Sequence, residues 1–73
     1  MRIKYKYIHF KKIGNSEWHC INKGKNDLAI INSYYSVPEK LLIGLKTRGG
    51  YILDANSVGD IFDFMKQLER KNE

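Results

Sequence analysis

Cys20 is the single cysteine of this 73-residue chain, and a catalytic role would require a base beside its thiol. Nucleophilic catalysis needs a thiol or hydroxyl within hydrogen-bond reach of a base. His19 is adjacent in sequence, but neighbouring residues of a strand point to opposite faces of a sheet. His9 approaches Cys20 only if the first two strands pair, and no third residue stands out to orient it. We therefore expect Cys20 to be a buried structural residue and the protein not to be an enzyme.

The other residue patterns also argue against catalysis and against a bound cofactor. Two His and one Cys, with no close-spaced pair on one face, do not make a metal site. The Arg-Gly-Gly sequence at 48–50 lacks the lysine and hydroxyl of a phosphate-binding loop and is typical of a hairpin turn. Asp54, Asp60 and Asp63 are explained by the start of a helix, which favours acidic residues. We predict no catalytic residue, no cofactor and no metal.

The whole chain has a net charge of +5, and its basic and aromatic residues are concentrated in the first three-quarters of the sequence. Residues 1–53 contain ten Lys and Arg against three Asp and Glu, whereas residues 54–73 contain three against five. Seven of the nine aromatic residues also lie in the basic part. Open sheet faces with rings between cations bind single strands, and basic strands also read duplex DNA in a groove. In the alternative interpretation, the rings fill a small core and the lysines between them face water.

We predict binding residues on the strands and turns of this basic part. The cations expected to contact phosphate or an acidic partner are Lys4, Lys6, Lys11, Lys23, Lys25 and Arg48. The aromatic residues expected to stack or dock are Tyr5, Tyr34 and Tyr35. The partner is then nucleic acid or a nucleoprotein; the alternative is a host protein, bound by an inhibitor or accessory factor that does not contact nucleic acid. A homodimer through an edge strand, such as residues 3–13, or through the open sheet face is a further alternative.

The elements that must position these residues begin with three strands. Residues 2–13 alternate with a period of two, and a bulge or bend near Tyr7–Ile8 reconciles a change of phase. Residues 17–22 and 28–35 are typical of a second and a third strand. The segments between them, 14–16 and 23–27, have the composition of turns.

Residues 36–47 allow two interpretations. The sequence Ser-Val-Pro-Glu at 36–39 is typical of a helix start, with leucines after it to form an apolar stripe. Gly44 would interrupt such a helix, and two further glycines would soon end it. We favour a fourth strand from Lys40 to Thr47, followed by a turn and a short fifth strand over residues 51–53.

The C-terminal segment predicts an amphipathic helix over about residues 55–71, capped by Asp54 or Ser57. Helical spacing places five apolar residues in one stripe: Val58, Ile61, Phe62, Met65 and Leu68. Phe64 lies beside this stripe. We therefore predict one domain over residues 1–73 of the α+β class. It is a four- or five-stranded antiparallel β-meander with the helix packed on one face. The other face is left to solvent, a partner or a second copy.

Three features indicate a cytoplasmic protein that does not bind membranes. The longest apolar run has four residues, the N-terminal residues lack the apolar region of a secretory signal, and one cysteine forms no internal disulfide. The polar face of the helix also carries more acid than base.

The segment from Tyr51 to Leu68 resembles the end of a group of small uncharacterised proteins of bacteriophages and mobile elements. That group has a strand, a short turn and a helix of the form Leu-x-Asp-Ile-x-x-Phe-x-x-x-Leu, whose positions are held here by Val58, Asp60, Ile61, Phe64 and Leu68. The Tyr34-Tyr35 pair is similar to that group's aromatic pair before its penultimate strand. The resemblance implies a sheet-plus-helix fold and a phage or mobile-element setting in the host cell cytoplasm. It implies no activity and no functional residue.

Overall fold

The fold is seen in a computed structural model that describes residues 3–36 and 40–71. These residues form the strands β1 (Ile8–Ile13), β2 (Glu17–Asn22), β3 (Asp27–Ser36) and β4 (Lys40–Thr47), followed by the helix α1 (Ala55–Lys71). The strands are antiparallel and neighbours in the sheet in the order β1-β2-β3-β4. The α+β class, the meander and the C-terminal helix are thereby confirmed.

The segment after β3 is a strand where the structure describes it. β4 pairs with β3 from Ser36 opposite Lys40 to Ala29 opposite Thr47. The helical interpretation of 40–47 is therefore wrong, and the proposed helix start at 37–39 lies outside the described residues. The predicted fifth strand over 51–53 is also wrong, because this segment crosses from the end of β4 to the start of α1. Leu53 packs against the core on the way, whereas Ile52 is 96% exposed.

The N-terminal segment bends before β1 begins. Lys4 forms an isolated antiparallel bridge with His9, and the chain bends at residues 6–7, close to the predicted position. The cause lies in α1: an Asp60 carboxylate oxygen accepts the backbone N–H of Tyr7 at 2.9 Å and that of Ile8 at 3.3 Å. These amides are directed at the helix, so the regular pairing of β1 starts only at Ile8.

A β-bulge lies at the start of β3. Cys20 is opposite Ala29, but Ile21 is opposite Asp27, so Leu28 is left without a partner on β2. A bulge turns two consecutive side chains towards one face, and both Leu28 and Ala29 are buried. The bulge also places Asp27 on the opposite face of the sheet.

The core lies between α1 and one face of the sheet. Phe64 of α1 is fully buried, stacks on Phe10 with a ring-centroid distance of 4.0 Å, and meets the edge of Trp18 at 4.9 Å. The buried residues are Ile8, Phe10, Cys20, Leu28, Ala29, Ile31, Ile61, Phe64 and Leu68.

The helix faces the sheet with a different stripe from the predicted one. Ile61 and Leu68 are buried as expected, but Phe64 occupies the centre, and Val58 and Phe62 are 46% and 60% exposed. The helix is rotated because Asp60 is held at the strand side and the Phe64 ring lies flat on Phe10. Asp54 is the cap: its Oδ1 accepts the N–H of Ser57 at 2.9 Å, which lowers the pKa of its carboxyl.

Candidate functional site

The sheet face opposite α1 is covered by no element of the described chain, and we call it the open face. The register sets its residues in rows across the four strands. One row consists of Lys11, His19, Ile30 and Lys46, and the next of Ile13, Glu17, Asn32 and Gly44. Tyr34 and Leu42 continue the face on β3 and β4. Lysines therefore stand at both lateral edges of the open face.

The ring of Tyr34 lies over the backbone of Gly44. A Cβ atom added at Gly44 would come within 2.8 Å of the Tyr34 Cε1 atom, so only glycine leaves room for the ring. Tyr34 is nevertheless 50% exposed. Gly44 therefore supports an aromatic ring that faces outwards. An aromatic side chain must be exposed in this way to stack on a base.

His19 lies between two carboxylates in the middle of the open face. Its Nδ1 is 2.7 Å from an Asp27 oxygen, and its Nε2 is 2.7 Å from a Glu17 oxygen. Hydrogen bonding to Glu17, and then to Asp27, raises the pKa of the imidazole. An imidazolium that donates from both nitrogens has no lone pair for a metal ion. In the described part of the chain, no group of three His, Cys, Asp or Glu side chains is placed to hold one.

Asp27 joins this cluster to Arg48, whose Nη2 donates to the same Asp27 oxygen at 3.1 Å. Burial alone would raise the pKa of the Asp27 carboxyl, but the hydrogen bonds from Arg48 and His19 outweigh it and lower the pKa. We call Glu17, His19, Asp27 and Arg48 the charge cluster; with His19 protonated, its charges cancel. Arg48, predicted to contact phosphate, is therefore already paired with a carboxylate.

Five of the six predicted basic residues gather at one end of the sheet. At this end β2 turns into β3. The start of β1 also lies at this end, since Ile8 is opposite Asn22, and so does the end of β4, since the Arg48 N–H donates to the Leu28 carbonyl at 2.9 Å. We call this region the basic end; its members are Lys4, Lys6, Lys23, Lys25 and Arg48. Lys11 lies further along the open face, opposite His19.

Tyr5 lies on the helix side of the sheet rather than on the open face. Its ring meets the edges of Phe10 at 5.2 Å and Phe64 at 6.1 Å. Its hydroxyl donates to an Asp63 carboxylate and accepts a hydrogen bond from Gln67. This position corrects the prediction that Tyr5 is available for stacking. The backbone of Tyr35 pairs with Leu41, and the side chain of Tyr35 lies outside the described part of the structure.

Two residues of the open face were not among the predicted binding residues. Lys46 is placed opposite Ile30, in the row of Lys11, by the pairing of β3 with β4. Once residues 40–47 are interpreted as a strand, alternation puts Lys46 on the same face as Leu42 and Gly44, and the register with β3 adds Tyr34 to that face. The sequence did not indicate the carboxylate contacts of His19, because Asp27 is eight residues away and the bulge decides on which face of the sheet Asp27 lies.

Cys20 is buried on the helix side, opposite Phe10 on β1. Burial raises the pKa of its thiol to about 12, and the Asp27 charge acts in the same direction. His9 alternates with the buried Ile8 and Phe10 and lies on the other face. The prediction that Cys20 is buried is confirmed.

α1 has 17 residues and is neither long nor apolar enough to cross a membrane; the described residues include no helix that is. Comparison of the chain with protein-family models, curated proteins and solved structures finds no match. The resemblance to phage and mobile-element proteins therefore stays a prediction.

Proposed function

We propose that the protein binds single-stranded nucleic acid through the open face and the basic end. The observation that carries this proposal is the Tyr34 ring, which lies over Gly44 with half of its surface exposed, on the face that bears Lys11 and Lys46. A base stacking on an exposed aromatic ring contributes about 1–3 kcal/mol to binding without sequence preference.

The cations outside the charge cluster supply the attraction for phosphates. The cluster has two carboxylates against Arg48 and His19, so it has no net positive charge in either protonation state of His19, and the positive charge of this surface comes from the lysines outside it: Lys11 and Lys46 of the open face and Lys6, Lys23 and Lys25 of the basic end. Lysine contacts to phosphate release counterions, and the resulting affinity falls as salt rises.

A single strand fits this surface better than a duplex. The bases of a duplex are stacked on one another, so the Tyr34 ring would find no free base, whereas a single strand presents one. The open face between Lys11 on β1 and Lys46 on β4 is also three inter-strand spacings wide, roughly 14 Å, which is room for one extended strand. Duplex binding would use the lysines alone.

We assign no reaction to this surface, because the Cys20 thiol is buried on the helix side of the sheet, whereas His9 and His19 lie on the other face. The phage or mobile-element setting suits a non-catalytic accessory factor that binds nucleic acid or nucleoprotein in the host cytoplasm. Such a factor needs affinity and little sequence preference, which stacking and phosphate contacts supply.

The first test is a fluorescence-anisotropy titration of the 73-residue protein with labelled dT12 and with a 12-base-pair duplex, at 50 and 200 mM salt. We expect tighter binding of dT12. With four phosphate contacts, the fourfold rise in salt should weaken that binding roughly 50-fold. Absence of dT12 binding at 50 mM salt would contradict the proposal and favour the alternative, an inhibitor or accessory factor with a protein partner.

The second test separates stacking from charge. Tyr34→Ala should weaken dT12 binding about fivefold or more, because the stacking ring is lost, whereas Tyr34→Phe should keep most of the affinity. Tyr51→Ala is the matched control, since Tyr51 is 45% exposed but follows β4 and does not belong to the open face. Equal effects of Tyr34→Ala and Tyr51→Ala would show that the open face is not the binding surface.

A further inference from the structure

A groove of about 350 Å³ lies beside the basic end, between the bent N-terminal segment and the paired ends of β1 and β2. Its apolar lining includes Ile3, Tyr7 and Ile21. Ile3 is exposed, so the apolar surface of the groove is accessible from outside. The volume falls within the roughly 300–1,000 Å³ of pockets that hold small molecules.

The charged side chains that line the groove are all basic. Lys4, Lys6 and Lys23 are among its eleven lining residues, and none of the eleven is acidic. The Lys6 ammonium lies 5.5 Å from the centre of the Tyr7 ring, so a cation and an aromatic ring adjoin at this site. An apolar lining with cations beside it is complementary to a ligand with a flat apolar body and an anionic group.

The groove is continuous with the open face. His9 and Ile21 line the groove and are also paired neighbours on that face. Ile21 is opposite the first residue of β3, whereas Tyr34 lies near the other end of that strand. The six to seven residues between them span roughly 20 Å at 3.3 Å per residue. A strand stacked at about 3.4 Å per nucleotide covers that distance with roughly six nucleotides.

We infer that the groove binds one nucleotide, with its base against Ile3, Tyr7 and Ile21 and its phosphate at Lys6 and Lys23. This inference rests on the proposed function, because it makes the groove a second contact for the strand that stacks on Tyr34. A terminal phosphate carries about −1.5 to −2 charges, so a mononucleotide contains all the features that the groove recognises.

The test is an NMR titration of the ¹⁵N-labelled protein with adenosine monophosphate, adenosine, inorganic phosphate and octanoate. We expect the monophosphate to shift the amide signals of Ile21, Asn22 and Lys23, and adenosine and phosphate to bind at least about tenfold more weakly. Octanoate has an apolar body and an anion but no base. Octanoate binding as tight as that of the monophosphate would overturn the assignment to a nucleotide.

Matched variants locate the site. Lys23→Ala should weaken binding of the monophosphate about three- to fivefold, the range of one exposed ion pair. Lys25→Ala should not, because Lys25 lies in the same turn but does not line the groove. Equal losses in the two variants would overturn the inference, because they would indicate general attraction to a basic surface.

The titrations also separate the two proposals. Tyr34→Ala should leave the affinity for the monophosphate unchanged. Binding of dT12 that depends on Tyr34, without amide shifts from the monophosphate, would overturn the groove assignment and leave the open face as the binding surface. Monophosphate binding that depends on Lys23, with no binding of dT12, would support the groove and contradict the proposed function.

Discussion

His19 shows how single residues set the electrostatics of this protein. Two carboxylates 2.7 Å from its ring nitrogens raise the pKa of the imidazole above its ordinary value of 6.5. A group whose pKa is higher in the folded state stabilises the fold fully below the unfolded-state pKa. That contribution is lost as the pH rises through the folded-state pKa.

We therefore predict that the free energy of unfolding falls between pH 6 and pH 8 by more in the wild-type protein than in His19→Gln. Urea unfolding at several pH values measures both slopes. The range stops at pH 8 because the Cys20 thiol, with its pKa raised to about 12, begins to add its own pH dependence above that. Parallel slopes in the two proteins would show that His19 does not gain its proton on folding.

Gly44 is the second residue with a defined physical consequence. The Cβ of Gly44→Ala would lie 2.8 Å from Tyr34 Cε1, so the ring must move off the backbone. We predict weaker dT12 binding in this variant, close to that of Tyr34→Ala, and a loss of stability below about 1 kcal/mol because the ring end can move into solvent. Anisotropy and urea unfolding measure the two effects. Gly49→Ala is the control, since nothing lies within 4 Å of a Cβ there; unchanged binding in Gly44→Ala would contradict the role of the ring.

At the scale of elements, periodicity predicted the strands and the helix but not the rotation of the helix. The strands predicted over residues 17–22 and 40–47 coincide with β2 and β4, the second because the glycines argue against a helix there. In α1, however, apolar residues fit two overlapping stripes, one containing Phe62 and one containing Phe64. Periodicity cannot choose between them, because the choice depends on contacts with Phe10 and with the Tyr7 amide, more than fifty residues away.

The observed rotation predicts opposite results for two phenylalanines of α1. Phe64→Ala empties the centre of the core and should cost about 3–5 kcal/mol, a large part of the roughly 4–11 kcal/mol expected for a domain of this size. Phe62→Ala removes a side chain that is 60% exposed and should cost less than about 1 kcal/mol. Urea unfolding of both variants measures the two losses of stability. A larger loss in Phe62→Ala than in Phe64→Ala would mean that the helix packs with the predicted stripe.

At the scale of the whole molecule, composition predicted the basic aromatic character of the strands but not its distribution. The gathering of Lys6, Lys23 and Arg48 at one end follows from the register, which no local pattern encodes. The pairing of Arg48 with Asp27 joins residues 21 apart, and the contact of Tyr5 with Asp63 joins residues 58 apart. Sequence reasoning therefore found the candidate residue types, and the sheet decided which of them share a surface.

The depth of the Cys20 side chain has an experimental consequence for the whole molecule. A thiol reagent modifies only the thiolate, and this thiol is both sealed from solvent and held in its protonated form while the fold is closed. Alkylation must then wait for the chain to open. The alkylation rate of this one natural sulfur atom therefore reports how often the domain unfolds, with no introduced probe.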